Sequence, residues 1–150
     1  MKHFTMSELT KSYEASRRGI DNTPTALAET NLYALVREIL DPLREAYGKP
    51  IVVNSGYRCP ALNSAVGGSK TSQHVSGQAA DIEGIARTRS ENKKLFDLIL
   101  ELGLPFDQLI NEYDYDWVHV SFSHSPRKQV LAAIKQGSKT IYQTLKNKAV

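Results

Sequence analysis

The sequence predicts an α+β fold, a small and largely antiparallel sheet with flanking helices, and three features of the 150-residue chain carry that expectation. Leu32, Leu35, Val36, Ile39, Leu40, Leu43 and Tyr47 follow the i, i+3, i+4, i+7 spacing of a helix with one buried face. Phe106–Glu112 and Trp117–Phe122 read as two strands joined through Tyr113-Asp114-Tyr115-Asp116, the pattern of a hairpin. The remaining helical stretches are grouped before and between the strand stretches. The length suits one domain over 1–150, large enough to bury a core without disulfides or a structural metal.

Taken in order, residues 7–19 read as a short helix capped by Ser7, followed by a loop through Gly19-Ile20-Asp21-Asn22-Thr23-Pro24. The amphipathic helix of 31–47 comes next. Pro42 should kink it or restart it with Asp41 as the cap, and Gly48 ends it. Ile51-Val52-Val53 is a strand leading into Asn54-Ser55-Gly56-Tyr57-Arg58; Pro60 suits the first turn of a short helix, and Gly67-Gly68-Ser69 is a loop. Residues 79–82 are expected as strand. Ser90 can cap a helix that carries Leu95, Phe96, Ile99 and Leu100 and that Gly103 closes. After the hairpin, Ser125-Pro126 opens a helix through Ile134 that Gly137 ends, and 140–145 adds an edge strand.

Composition narrows the function classes. A single cysteine, Cys59, excludes an intramolecular disulfide and a closed thiolate metal site. As a nucleophile Cys59 would need His74 as base and an orienting partner that the sequence does not offer, and its place before Pro60 is that of a small packing residue. No apolar run of about 18 residues is present, so no membrane span is expected. The N-terminal residues carry no apolar run resembling a signal peptide. The net charge is +3, with basic residues concentrated at Arg127, Lys128, Lys135, Lys139, Lys146 and Lys148. That excess is read chiefly as solvated surface, compatible with an anionic wall. Without a helix-turn-helix, zinc-finger or aromatic-basic motif, nucleic acid is not expected as a partner.

The chemistry concentrates in two segments, Ser72-Gln73-His74-Val75-Ser76-Gly77-Gln78-Ala79-Ala80-Asp81 and Asp116-Trp117-Val118-His119-Val120-Ser121. Side chains alternate across a strand, so Ala79 and Asp81 share one face, as do Trp117, His119 and Ser121. Two strands can thus each present one ligand on the same side of a sheet, and His74 reaches it from the preceding loop. Two imidazoles and a carboxylate are ordinary Zn²⁺ ligands, and three protein ligands leave a position for water, the arrangement of a catalytic site. A peptidase built on it needs a carboxylate to take the proton of that water. Asp116, three residues before His119, is the first choice. Glu112 is the rival: a four-residue loop would set it opposite Trp117 on the face of His119, whereas strand parity turns Asp116 away. Arg58 is the cation available to hold a substrate carboxylate or a developing oxyanion. The Asp114-x-Asp116 pair also hints at Ca²⁺, but the other ligands of an EF-hand loop are missing.

At these residues the chain resembles the zinc D-alanyl-D-alanine carboxypeptidase family, in particular its phage-type murein peptidases, over about 4–122. Ser55-Gly56-Tyr57-Arg58, with Leu62-Asn63 and Gly67-Gly68-Ser69, is similar to the block before the family's metal site. Ser72-x-His74-x-x-Gly77-x-Ala79-x-Asp81 is similar to its first zinc motif, and Trp117-Val118-His119-Val120-Ser121 to its second. The resemblance implies Zn²⁺ at His74, Asp81 and His119, and an acidic general base three residues before the last histidine, which favours Asp116. In some relatives an acid further upstream fills that role, which keeps Glu112 in contention. It also implies that Arg58 and Ser72 contact the substrate and that the fold is of the hedgehog/D-Ala-D-Ala peptidase type.

The expected function is therefore a zinc metallopeptidase, a hydrolase of peptide bonds in bacterial peptidoglycan stem peptides acting as carboxypeptidase or endopeptidase. The setting implied is a bacteriophage endolysin, released from the host cytoplasm to the cell wall on lysis, or a virion-associated enzyme. A monomer is expected. The alternative is a non-catalytic, zinc-containing cell-wall binding or phage structural module, since the same fold also occurs in signalling domains.

Overall fold

The computed structural model describes residues 1–146; Lys148 of the basic cluster lies outside the described residues. Where one helix was expected over 7–19, two short ones form, α1 (Met6–Thr10) and α2 (Tyr13–Arg18). Capping makes the break. Thr5 and Glu8 close a reciprocal capping box on α1, and the Ser12 hydroxyl accepts the Ala15 N–H to start α2. Ser7 lies inside the first turn rather than before it.

The long amphipathic stretch starts earlier than its apolar period indicates, because Thr25 caps α3 (Ala26–Leu35) through the Ala28 N–H. Pro42 cannot donate a helical hydrogen bond. The chain absorbs the gap in a π-helical turn, Val36–Leu40, that runs directly into α4 (Asp41–Tyr47). Asp41 is thus no cap of a restarted helix; its carboxylate accepts the backbone N–H groups of Lys2 and His3. Gly48 ends α4 in the left-handed region, as its position suggested.

The next elements follow the expected order: β1 (Ile51–Ser55), α5 (Pro60–Ala65), β2 (Ala79–Gly84), α6 (Arg89–Glu101), β3 (Phe106–Glu112) and β4 (Trp117–Phe122). The cap of α6 is Thr88, not Ser90. The helix expected from Ser125-Pro126 to Ile134 does not form. Strand β5 (Gln129–Gln136) occupies that stretch and turns through Gly137-Ser138 into β6 (Lys139–Thr144). A short apolar run such as Val130 to Ile134 does not distinguish helix from strand by period, and a partner on each edge decides for strand here.

The strands form one sheet in the order β1-β2-β4-β3-β5-β6. It is mixed rather than largely antiparallel: β3 and β5 run parallel, and every other pair is antiparallel. The reason lies in edge occupancy. β2 already holds the outer edge of β4, so the chain leaving β4 reverses and docks on the free edge of β3, which makes β5 parallel to it. One face of the sheet carries Ala80, Ile82, Leu109, Val118 and Val120 into a core shared with Leu32, Leu35, Ile39, Leu95 and Ile99 of the helices. A bulge in β3, where Phe106 pairs with Phe122 but Leu109 with Val120, turns both Phe106 and Leu109 to that core. Gln108 within it, and Ile110 and Glu112 beyond it, point to the opposite, open face. Among the described residues no helix is long and apolar enough to cross a membrane.

Asn92 of α6 locks the helical layer to the hairpin that bears the site. It is 1% exposed; its Nδ2 donates to the carbonyls of Tyr115 and Asp116, and its Oδ1 accepts the Gly84 N–H. Asn92→Ala would remove the partner of three backbone groups, that of Gly84 buried, and we expect a loss of about 3 kcal/mol in denaturant-measured stability.

Candidate metal centre

Antiparallel register makes Asp81 of β2 and His119 of β4 direct cross-strand partners on the open face. Ala79 pairs likewise with Ser121, so a small side chain lies next to the acidic one. His74 comes from the turns between α5 and β2. Its carbonyl accepts the Arg58 N–H at 3.0 Å, and its own N–H donates to the Ser72 hydroxyl at 3.3 Å. Gly77 closes this turn at φ +73°, where an added Cβ would stand 2.3 Å from the Ala28 carbonyl oxygen. Backbone conformation and close approach both require glycine there.

The His74 ring is 2% exposed, with Nδ1 2.6 Å from the Gly56 carbonyl oxygen. A carbonyl only accepts, so Nδ1 carries the proton and Nε2 presents its lone pair. Nε2 is buried without a hydrogen-bond partner, 3.3 Å from Asp81 Oδ2. His119 Nδ1 lies 3.0 Å from Asp81 Oδ1. One ligand atom from each of His74, Asp81 and His119 falls within 4.8 Å of the others. Burial works to raise the Asp81 pKa, but the neighbouring His74 and His119 outweigh it and hold the carboxyl well below the usual carboxylate range. A buried lone pair with no partner and an ionised carboxylate, all N and O donors, fit a divalent cation of the zinc type with a position open to the cleft.

That cleft, about 730 Å³, is where the structure brings most of the predicted site residues together. Arg58, Ser72, His74, Asp81, Glu112 and His119 all line it. The Arg58 Nε is buried and unpartnered, and a Cβ on Gly68 would lie 3.1 Å from its Nη1 and 2.1 Å from Asn63 Oδ1, so glycine leaves room for the guanidinium. Burial pulls the Arg58 pKa down, opposed by Asp81. Glu112 is 8% exposed and pairs across the hairpin with Trp117, on the face of His119. Burial pushes its pKa up to about 7; His119 pulls it down and Asp81 adds to the rise.

Asp116 is not part of this group. Tyr113, Asp114 and Tyr115 all adopt positive φ, at 50°, 57° and 62°, and the left-handed turn they make carries Asp116 to the outside. Its side chain is 54% exposed and paired with Arg89 at 3.2 Å. Cys59 is buried at the start of α5, where its Sγ accepts the Leu62 N–H. The cleft also contains residues not expected at the site: Arg127, assigned to the basic surface, with Leu131 from the region read as helix and Tyr142 from β6. Arg127 is held by Asp107, 2% exposed, which also accepts from Gln73 Nε2. An aspartate at the second position of a strand was the signal the sequence offered for that anchor.

Residues 2–121 match the model of the Peptidase M15 family, and the chain belongs to that family. A relative, the zinc D-Ala-D-Ala carboxypeptidase of Streptomyces albus G, is 38% identical over 81 residues, covering 53% of this chain and 31% of the relative. The match thus spans about a third of that relative's length.

The raised pKa of Glu112 has a consequence for the metal-free protein. The folded state holds this proton up to about pH 7, whereas an unfolded glutamate releases it near 4.5. Stability from this group is therefore full below pH 4.5 and is lost as pH rises to about 7. Glu112→Gln removes the loss, so metal-free variant and wild type should be alike at pH 4 and differ in the variant's favour by about 3 kcal/mol above pH 7, measured by urea titration.

Proposed function

We propose that the chain is a zinc peptidase that hydrolyses a peptide bond in bacterial peptidoglycan stem peptides. The observation that supports it most is the convergence of His74 Nε2, buried and unpartnered, with Asp81, His119 and Glu112 in one cleft. The carboxypeptidase relative named above supports the metal and the substrate class. His74, Asp81 and His119 would hold the ion. When bound, zinc would acidify a water ligand toward neutrality and polarise the scissile carbonyl.

Glu112 is our choice of general base over Asp116. It faces the same side of the sheet as His119, and its near-neutral pKa suits a group that takes a proton from water and passes it to the leaving amine. Asp116 is turned outward onto Arg89. Arg58 supplies a fixed cation for the substrate's terminal carboxylate or for the oxyanion, and Ser72 offers a hydroxyl at the same wall of the cleft. Gly56 acts through its carbonyl, which orients His74 and leaves Nε2 as the donor toward the ion. A hedgehog/D-Ala-D-Ala peptidase-type architecture and a phage lytic setting belong to the same reading, on the motif blocks that resemble phage-type murein peptidases.

Mass spectrometry of purified muropeptides after digestion tests this directly. Zinc-dependent cleavage should disappear with chelator and return with Zn²⁺. Glu112→Gln should lower kcat by about 10²–10⁴-fold with metal binding retained, whereas Asp116→Ala should stay within about threefold of wild type. Wall binding without release of new amine termini would instead mark a non-catalytic module.

A further inference from the structure

We propose that the β5–β6 hairpin forms the acyl-side wall of the cleft and that Tyr142 is its specificity-determining residue, contacting the peptide several residues before the scissile bond. The inference rests on the hydrolase reading above and extends it to a part of the chain beyond the family match, which ends at residue 121.

Register carries the placement. Trp117, Glu112, Ala133 and Tyr142 are successive partners across β4, β3, β5 and β6, and His119, Ile110 and Leu131 form the adjacent row. Directly paired residues share a face, so Leu131 and Tyr142 stand on the metal side of the sheet, and both line the same cleft as His119 and Glu112. Ala133, between Glu112 and Tyr142, is fully buried and contributes only a methyl group to that row. Tyr142 itself is 58% exposed, a large ring on an edge strand whose other residues, Ile141 apart, are polar. The hairpin is tied down beside it: Thr140 Oγ1 is 2.7 Å from the Tyr113 hydroxyl, and the Tyr113 N–H donates to the Ala133 carbonyl. A rigid support is what a selective contact needs.

Sheet order sets the direction. Arg58 follows β1, the ligands lie on β2 and β4, and Tyr142 is on β6 at the far edge. A substrate whose carboxylate end is held at Arg58 therefore extends its acyl portion across β3 and β5 toward Tyr142. From β4 to β6 is three strand spacings, about 14 Å, and an extended peptide advances about 3.4 Å per residue. About four residues on the acyl side are needed to reach the ring, so the wall selects long stem peptides over short ones.

The test compares two peptides, L-Ala-D-isoGlu-L-Lys-D-Ala-D-Ala and N-acetyl-D-Ala-D-Ala, with zinc-loaded wild type, Tyr142→Ala and Tyr142→Phe. D-alanine release is assayed and products are identified by mass. Tyr142→Ala should lower kcat/KM on the pentapeptide about tenfold, mainly through KM, and change the acetylated dipeptide less than twofold. Tyr142→Phe keeps the ring and should stay within about twofold on both. Equal losses on both peptides, or no loss on the pentapeptide, overturns the inference while leaving the hydrolase reading intact. So does cleavage of the pentapeptide at an inner bond, which leaves too little chain to reach β6. Wild type that cuts neither peptide overturns the hydrolase reading, and this inference with it.

Discussion

The His74 ring keeps Nε2 buried without a hydrogen-bond partner, and the architecture around it is organised by that constraint. Gly56 takes the Nδ1 proton, and the backbone of the Gly56 to Arg58 segment is itself fastened: the Tyr57 N–H donates to the Leu9 carbonyl and the Arg58 N–H to the His74 carbonyl. The helical N-terminus, the end of β1 and the ligand loop thus share one hydrogen-bonded junction. What is left over is a lone pair, buried and aimed at the Asp81–His119 pair. An unpaired buried nitrogen costs about 1–3 kcal/mol. A fold that keeps it does so for a ligand that offsets the cost, and a cation is the ligand that a second histidine and an ionised carboxylate would admit.

The two carboxyl groups on the open face, Asp81 and Glu112, are set apart in pKa by their surroundings. Both are desolvated. Asp81 has two imidazoles in contact range and stays ionised, whereas Glu112 has a single favourable neighbour and a carboxylate repelling it, and is pushed up to about 7. Two carboxyls with separated pKa values are what a ligand and a proton-transfer group require of one site. The separation follows from the strand on which each resides. β2 lies against β4 and within reach of the His74 loop, whereas β3 lies on the far side of β4, one strand from the histidines.

Much of this was legible in the sequence because it depends on period two. Parity along 79–82 and 117–122 set Asp81 and His119 on one face, and the four-residue loop set Glu112 opposite Trp117. The same parity argued against Asp116, and the resemblance to relatives with an acid three residues before the histidine pulled the other way. The structure follows parity: a turn of three left-handed residues returns the chain to β4 with Asp116 facing Arg89. The helix boundaries were less legible since Thr5 and Thr88 compete as caps with the nearby Ser7 and Ser90, and Thr25 lies ahead of the apolar period that marks its helix. Pro42 misled for a different reason. A π-helical turn takes up the missing hydrogen bond, and nothing in the local sequence marks it.

The β5 strand shows where local reading ends and tertiary pairing takes over. Its place on the free edge of β3 depends on Asp107, buried in the bulge of β3 and joined to Arg127 by both backbone and side-chain hydrogen bonds. Those hydrogen bonds hold the Asp107 pKa down against burial, so the anchor is an ionised pair at neutral pH. Remove the bulge and Asp107 would change face, Arg127 would lose its partner, and the crossover to β3 would lose the contact that aims it. The far wall of the cleft is therefore a consequence of one extra residue in β3. That dependence links the shape of the cleft to a backbone irregularity rather than to the segments that carry His74, Asp81 and His119, so the two can vary independently on the same sheet.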